Sequence, residues 1–178
     1  MQPNTIEHNG ELLEFRGMVS ENVKWPLQVQ LRIRCPACSE FITADPFFAE
    51  ACPCGRLTRG ATSATVQVAG YPVAPISLWR VVPKEILPGA DALIAVLGAI
   101  LIHVAAIGNQ QMLNRIARYR RLLAGGDRAG AREIVEWLQL DIDRLLEGEV
   151  VDDPGERQAF LDLGLQAVGL AQPILALE

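Results

Sequence analysis

Leu27, Val29, Leu31 and Ile33 alternate with Gln28, Gln30, Arg32 and Arg34, the period-two pattern of a half-buried strand. Residues 57–68 are rich in Thr and Val and alternate again at Thr65-Val66-Gln67-Val68. Residues 76–82 predict a third strand, after a turn at Gly70-Tyr71-Pro72. Upstream the pattern is weak. Glu11-Leu12-Leu13-Glu14-Phe15 fits either a strand or a helical turn, and Gly10 and Gly17 confine it to one short element. The first half of the chain therefore reads as a small antiparallel sheet.

Beyond the prolines at 83 and 88 the period changes to that of helices. Residues 92–108 are almost purely aliphatic, broken by His103, with Asp91 as the expected N-cap and Gly108-Asn109 bending or ending the run. Helical character continues over 112–124 up to Gly125-Gly126, and Asp127 is placed to cap the next helix. There Ile134, Val135, Leu138, Ile142, Leu145 and Leu146 share one face, with Glu133, Glu136, Asp143 and Glu147 on the other, up to Gly148. Asp152-Asp153-Pro154 starts a last helix, whose apolar positions are Phe160, Leu161, Leu163, Leu165, Val168 and Leu170. The fold class expected is α+β: a β-rich domain over 1–83, then a helical hairpin bundle over 90–178. The segment 83–89 marks the boundary, and the aliphatic run is the element through which the halves would pack as one body.

Composition sharpens this in two ways. Apolar residues are 50 % of the chain and aromatics 6 %, so the core should be aliphatic. The formal net charge of −5 lacks the positive excess of a general nucleic-acid binder. The acidic surplus gathers at Asp141, Asp143, Glu147, Glu149, Asp152 and Asp153, a patch that either keeps an apolar protein in solution or steers a basic protein partner. Met1-Gln2-Pro3-Asn4 is polar and no apolar signal segment follows, so a reducing cytoplasmic setting is expected.

That setting bears on the four cysteines, Cys35-Pro36-Ala37-Cys38 and Cys52-Pro53-Cys54-Gly55, with thirteen residues between the pairs. Two tight turns, each offering two thiolates, can close a tetrahedron around one metal ion with metal–sulfur distances near ~2.3 Å. Two disulfides are the competing use of the same residues, and iron the competing metal. The frame resembles a zinc ribbon over residues 27–82, and that resemblance implies a structural Zn²⁺ on Cys35, Cys38, Cys52 and Cys54. The second knuckle is one residue shorter than the usual C-x-x-C. In outline the chain is also similar to small bacterial proteins with a C-x-x-C…C-x-C-G ribbon, among them immunity proteins that neutralise a toxin.

No nucleophile elbow, P-loop, G-x-G-x-x-G or H-E-x-x-H motif occurs. A closed Cys₄ site has no open coordination position. The function expected is therefore non-enzymatic binding to another protein, with no small-molecule substrate. Two rival readings are kept open. Arg32, Arg34, Arg56 and Arg59 flank the cysteines and would serve a nucleic-acid ribbon by contacting phosphates, or else offset the charge of the thiolates. The run 92–108 would anchor a membrane-associated protein, although seventeen residues reach only about 25 Å against the ~30 Å of a hydrocarbon core.

Overall fold

A computed structural model describes residues 4–19, 28–45, 48–60, 66–69, 76–147, 151 and 153–176. The chain divides into two compact units, Met1–Val82 and Pro83–Glu178. The first holds the strands and the second the helices, an α+β protein with its helices C-terminal.

Five strands of the first unit, β1 (Thr5–His8), β2 (Glu11–Val19), β3 (Leu31–Arg34), β4 (Phe41–Thr43) and β8 (Ile76–Val82), form an antiparallel sheet in the order β1-β2-β8-β3-β4. The turn between β1 and β2 is Asn9-Gly10, both at positive φ (50° and 78°), the two-residue hairpin turn this dipeptide favours. Strand β2 is nine residues long and does not stop at Gly17, contrary to the short element expected there. Gly17 is absorbed instead as a bulge, where the register against β8 shifts between Phe15 and Gly17. Strand β3 is shorter than the alternation at 27–34 predicted. Residues 29 and 30 form a turn, closed by Leu31 N–H donating to the Gln28 carbonyl at 3.0 Å, and Leu27 lies outside the described residues.

The expected single stretch 57–68 is two strands. With β5 (Glu50–Ala51), β6 (Leu57–Arg59) and β7 (Val66–Val68) make a second antiparallel sheet in the order β5-β6-β7. Two apolar clusters stabilise the unit. Trp79 is buried with Leu13 and Val81, its ring meeting Phe15 and Phe41 edge-on at centroid distances of 5.3 and 5.8 Å. Leu31, Ile33, Ile42, Ala44, Leu57 and Ile76 pack with Cys35 and Cys52 in the other cluster.

In the second unit α1 (Ala90–Ala106) follows Gly89, which has φ 84° and occupies the cap position expected for Asp91; Asp91 instead lies in the first turn. Leu93, Leu97, Ile100, Leu101 and Val104 of α1 are fully buried, and α1 packs against both α2 (Gln110–Ala124) and α5 (Pro154–Leu175). Gly108, at φ 71°, ends α1, and the Asn109 side chain caps α2 by accepting from Met112 N–H at 3.0 Å. No helix among the described residues is long and apolar enough to cross a membrane.

The turn that follows α2 depends on a glycine. Gly126 has φ 70°, and a Cβ there would lie 2.2 Å from the Glu85 carbonyl oxygen. Lys84 N–H donates to the Gly125 carbonyl at 2.7 Å, and Arg128 pairs with the Glu85 carboxylate. The stretch 83–89 is thus fastened to the helical unit.

Helix α3 (Ala129–Glu133) runs through a π-helical turn, Ile134–Leu138, into α4 (Gln139–Glu147). Its buried stripe is Gly130, Ile134, Leu138, Ile142 and Leu146, every fourth residue. At 3.6 residues per turn such a stripe would rotate about 40° per step, roughly 160° in all. The wider π turn takes back part of that rotation and keeps the stripe on one face. In α5, capped by Asp153 accepting from Glu156 N–H at 2.8 Å, the buried stripe is Phe160, Gly164, Ala167, Ala171 and Ile174. Most of the leucines predicted for that core lie beside it, and Leu165 is 61 % exposed. Small side chains let α5 approach its neighbours closely: a Cβ on Gly164 would meet Ile142 Cδ1 at 2.4 Å.

Two isoleucines of α1, two positions apart, make a test of this packing. Ile100 is 0 % and Ile102 62 % exposed. Ile100→Asp is expected to destabilise the helical unit by about 4 kcal/mol through an unpaired buried charge, and Ile102→Asp by less than about 0.5 kcal/mol. Denaturant titration followed by far-UV circular dichroism measures both.

Candidate metal centre

Both cysteine pairs sit on hairpin turns, and the two turns belong to different sheets. Cys35 directly follows β3, and the turn to β4 closes through Cys35 N–H to the Glu40 carbonyl (2.7 Å) and Ser39 N–H back to the Cys35 carbonyl (3.0 Å). Cys52 directly follows β5. Its N–H donates to the Leu57 carbonyl (2.9 Å), Gly55 N–H donates to the Cys52 carbonyl (2.8 Å), and Gly55 takes φ 70°. The shortened C-x-C knuckle therefore folds as an ordinary tight turn, with glycine at the position of positive φ.

These turns bring Cys35, Cys38, Cys52 and Cys54 together, their sulfurs all within 4.8 Å of one another and none in a disulfide. A tetrahedron with metal–sulfur bonds near ~2.3 Å has sulfurs about 3.8 Å apart. Cys54 lies 3.7 Å from Cys35 and 3.3 Å from Cys52, so the cluster fits a four-coordinate metal ion. Cys35 and Cys52 are buried in the aliphatic cluster, Cys38 is half-buried and Cys54 exposed. Backbone N–H groups already point at sulfur, Ala37 at Cys35 Sγ (3.4 Å) and Leu57 at Cys52 Sγ (3.2 Å). Such donors favour thiolate over thiol.

The sulfurs divide their protons unequally. Burial pushes the Cys52 thiol up, but the Leu57 N–H and donation from Cys54, Cys35 and Cys38 outweigh it and bring its pKa to about 6. For Cys54 the Arg56 N–H favours the thiolate, while donation to Cys52 outweighs it and pushes the thiol up to about 12. Burial raises Cys35 as well. Cys52 is thus the first sulfur ready to ligate.

The arginines around the cluster do not act together. Arg32 is 4 % exposed, with Nε donating to Glu11 Oε2 at 2.8 Å and Nη1 to the Val29 and Leu31 carbonyls at 2.7 and 3.0 Å. Arg59, 2 % exposed, bonds the Thr43 carbonyl at 3.1 Å and also reaches those of Asp45 and Phe48. Both are buried and consumed in holding the β unit, which removes them from a phosphate-contacting surface. Arg34 donates to the Ser39 carbonyl at 3.1 Å, and Arg56 is exposed. Sequence reasoning missed Glu50, whose carboxylate accepts from both the N–H and the hydroxyl of Thr43 at 2.7 Å and links the β5 hairpin to β4.

The acidic patch is also smaller than its sequence. Asp141 is neutralised by Arg115 (both oxygens at 2.6 Å), Asp143 accepts from Gln139 Nε2 at 2.9 Å, and Asp153 serves as the α5 cap. Glu147 is exposed, while Glu149 and Asp152 lie outside the described residues. His103 packs its ring against Phe160 at 5.9 Å.

Metal binding to this cluster should displace protons, so affinity falls as pH falls. Below about 6, Cys52 itself must give up a proton to bind, which lowers apparent affinity by a further factor of about ten per pH unit. Competition against a chromophoric chelator across this range measures the slope, and an unchanged slope through pH 6 contradicts the assignment of Cys52.

Comparison of the chain with protein-family models, with curated proteins and with solved structures finds no match in any of the three, so the functional reading is carried by the chemistry of the cysteine cluster itself.

Proposed function

We propose that the protein is a non-enzymatic protein-interaction module of the adaptor or immunity type, stabilised by one structural Zn²⁺ on Cys35, Cys38, Cys52 and Cys54. The observation that carries this reading is the donor set: four sulfurs, from two hairpin turns, within 4.8 Å of one another. Four cysteines complete a tetrahedral shell and leave no position for water or substrate, which is the pattern of structural rather than catalytic zinc. Its role is then to hold the turns of two small sheets together, and such binding contributes folding free energy on the order of 10 kcal/mol. A surface fixed in this way suits stoichiometric recognition. The helical unit adds Trp137 and Leu140, 49 % and 47 % exposed and three residues apart, side chains of the kind that anchor protein interfaces.

The test combines metal content with the nature of the partner. Protein purified without added metal is expected to contain one zinc per chain. Tagged protein recovered from its native cells is expected to hold one other protein at fixed stoichiometry through nuclease treatment, and Cys52→Ser to lose both the zinc and that protein. Colourless, metal-free protein with oxidised cysteines would refute the zinc. Retention of nucleic acid that weakens steeply with salt would move the assignment to a nucleic-acid ribbon.

A further inference from the structure

Within the helical unit, a cavity of about 210 Å³ opens between the first turns of α2 and the outer face of α4. Asn109, Gln111, Met112 and Arg115 line it from one side and Asp141 and Arg144 from the other. Its charges are unbalanced. Asp141, the one acid, is already neutralised, with both oxygens 2.6 Å from Nη1 of Arg115. Arg115 spends a single nitrogen on that contact, leaving Nε and Nη2 uncommitted among the described residues. Arg144 is exposed and has no hydrogen bond or ion pair among the described residues. The cavity therefore presents one uncompensated positive charge together with guanidinium donors from two helices and the amide side chains of Asn109 and Gln111. No acid occupies the first turn of α2 to offset them.

Size and donor geometry restrict what this cavity takes. Sites for drug-sized ligands run to about 300–1,000 Å³, so 210 Å³ suits a small ion or a headgroup and not a whole coenzyme. Arg115 already holds one carboxylate, that of Asp141, through a single nitrogen, and the donors left over on two helices suit an oxyanion with more acceptor oxygens than a carboxylate offers. We propose that this cavity binds a small oxyanion of phosphate type, either free phosphate or the phosphate of a small monoester, with Arg144 as its principal anchor. The proposal is independent of the zinc reading, since all six lining residues belong to the helical unit.

Binding of inorganic phosphate to the full-length protein, followed by ³¹P line broadening and calorimetry at constant ionic strength, tests it. Saturable binding is expected in the millimolar range or tighter. Arg144→Gln should weaken it about tenfold, the usual loss on removing a charged hydrogen bond, and Arg144→Lys by less. Arg144 is exposed, and an unchanged melting profile confirms that the variant folds. Glycerol phosphate binding more tightly than phosphate identifies a monoester as the ligand, and the reverse order identifies the free ion. Equal binding of acetate and phosphate, no saturable phosphate binding, or wild-type affinity in Arg144→Gln overturns the proposal.

Discussion

Four sulfurs at the meeting point of two hairpin turns are the constraint on which the β unit depends. Each of its sheets is small: three strands of at most three residues in one, and five strands in the other. Sheets of this size bury too little apolar surface to offset the entropy of ordering their loops. The sulfurs compensate by position. Cys35 and Cys52 belong to the same buried cluster as Ile33, Ile42 and Leu57, so the atoms that could ligate a metal ion are also atoms of the apolar core. Glu50 and Arg59 reinforce this join with hydrogen bonds to the backbone of β4 and the loop after it. Loss of the Cys35 or Cys52 sulfur would therefore weaken the packing around it as well as the candidate metal site.

The helical unit solves its packing without such a device. Its α5 stripe is built from Gly164, Ala167 and Ala171 between Phe160 and Ile174, which trades side-chain volume for close approach of helix axes. The strict four-residue spacing of Gly130, Ile134, Leu138, Ile142 and Leu146 would wind off the core in a regular α-helix. The π turn at Ile134–Leu138 reconciles that spacing with a single buried face, and it leaves Trp137 and Leu140 half-exposed.

How much of this was legible in the chain depended on whether the signal was local. Cysteine spacing is local and chemically specific, and all four residues converge as the spacing implied. The shift from period two to period 3.6 separated strands from helices at the right place. Asn9-Gly10 is an equally local hairpin signal, but it went unread beside Gly17. What could not be read was the fate of individual charges. A period-two pattern assigns Arg32 to solvent, yet Glu11, twenty-one positions earlier, meets it in a part-buried pair. Asp141 and Arg115 likewise cancel across twenty-six positions. Such pairings depend on strand and helix neighbours that no local window contains, and they changed the arginine and acidic patches more than any element boundary did.

Pro83 to Gly89 has the composition of a linker, but its hydrogen bonds make it the first layer of the helical unit. Lys84 and Glu85 lie against Gly125 and Gly126, where the missing side chain of Gly126 makes room for the backbone of Glu85, and Leu87 is buried. If the chain is regarded as a pair of exchangeable parts, the boundary between them thus has almost no length: it falls at the single peptide bond joining Val82 of β8 to Pro83. Recombination or grafting that respects this bond would transfer a complete helical body. A cut seven residues later would leave Gly126 as a vacant notch, cradling nothing.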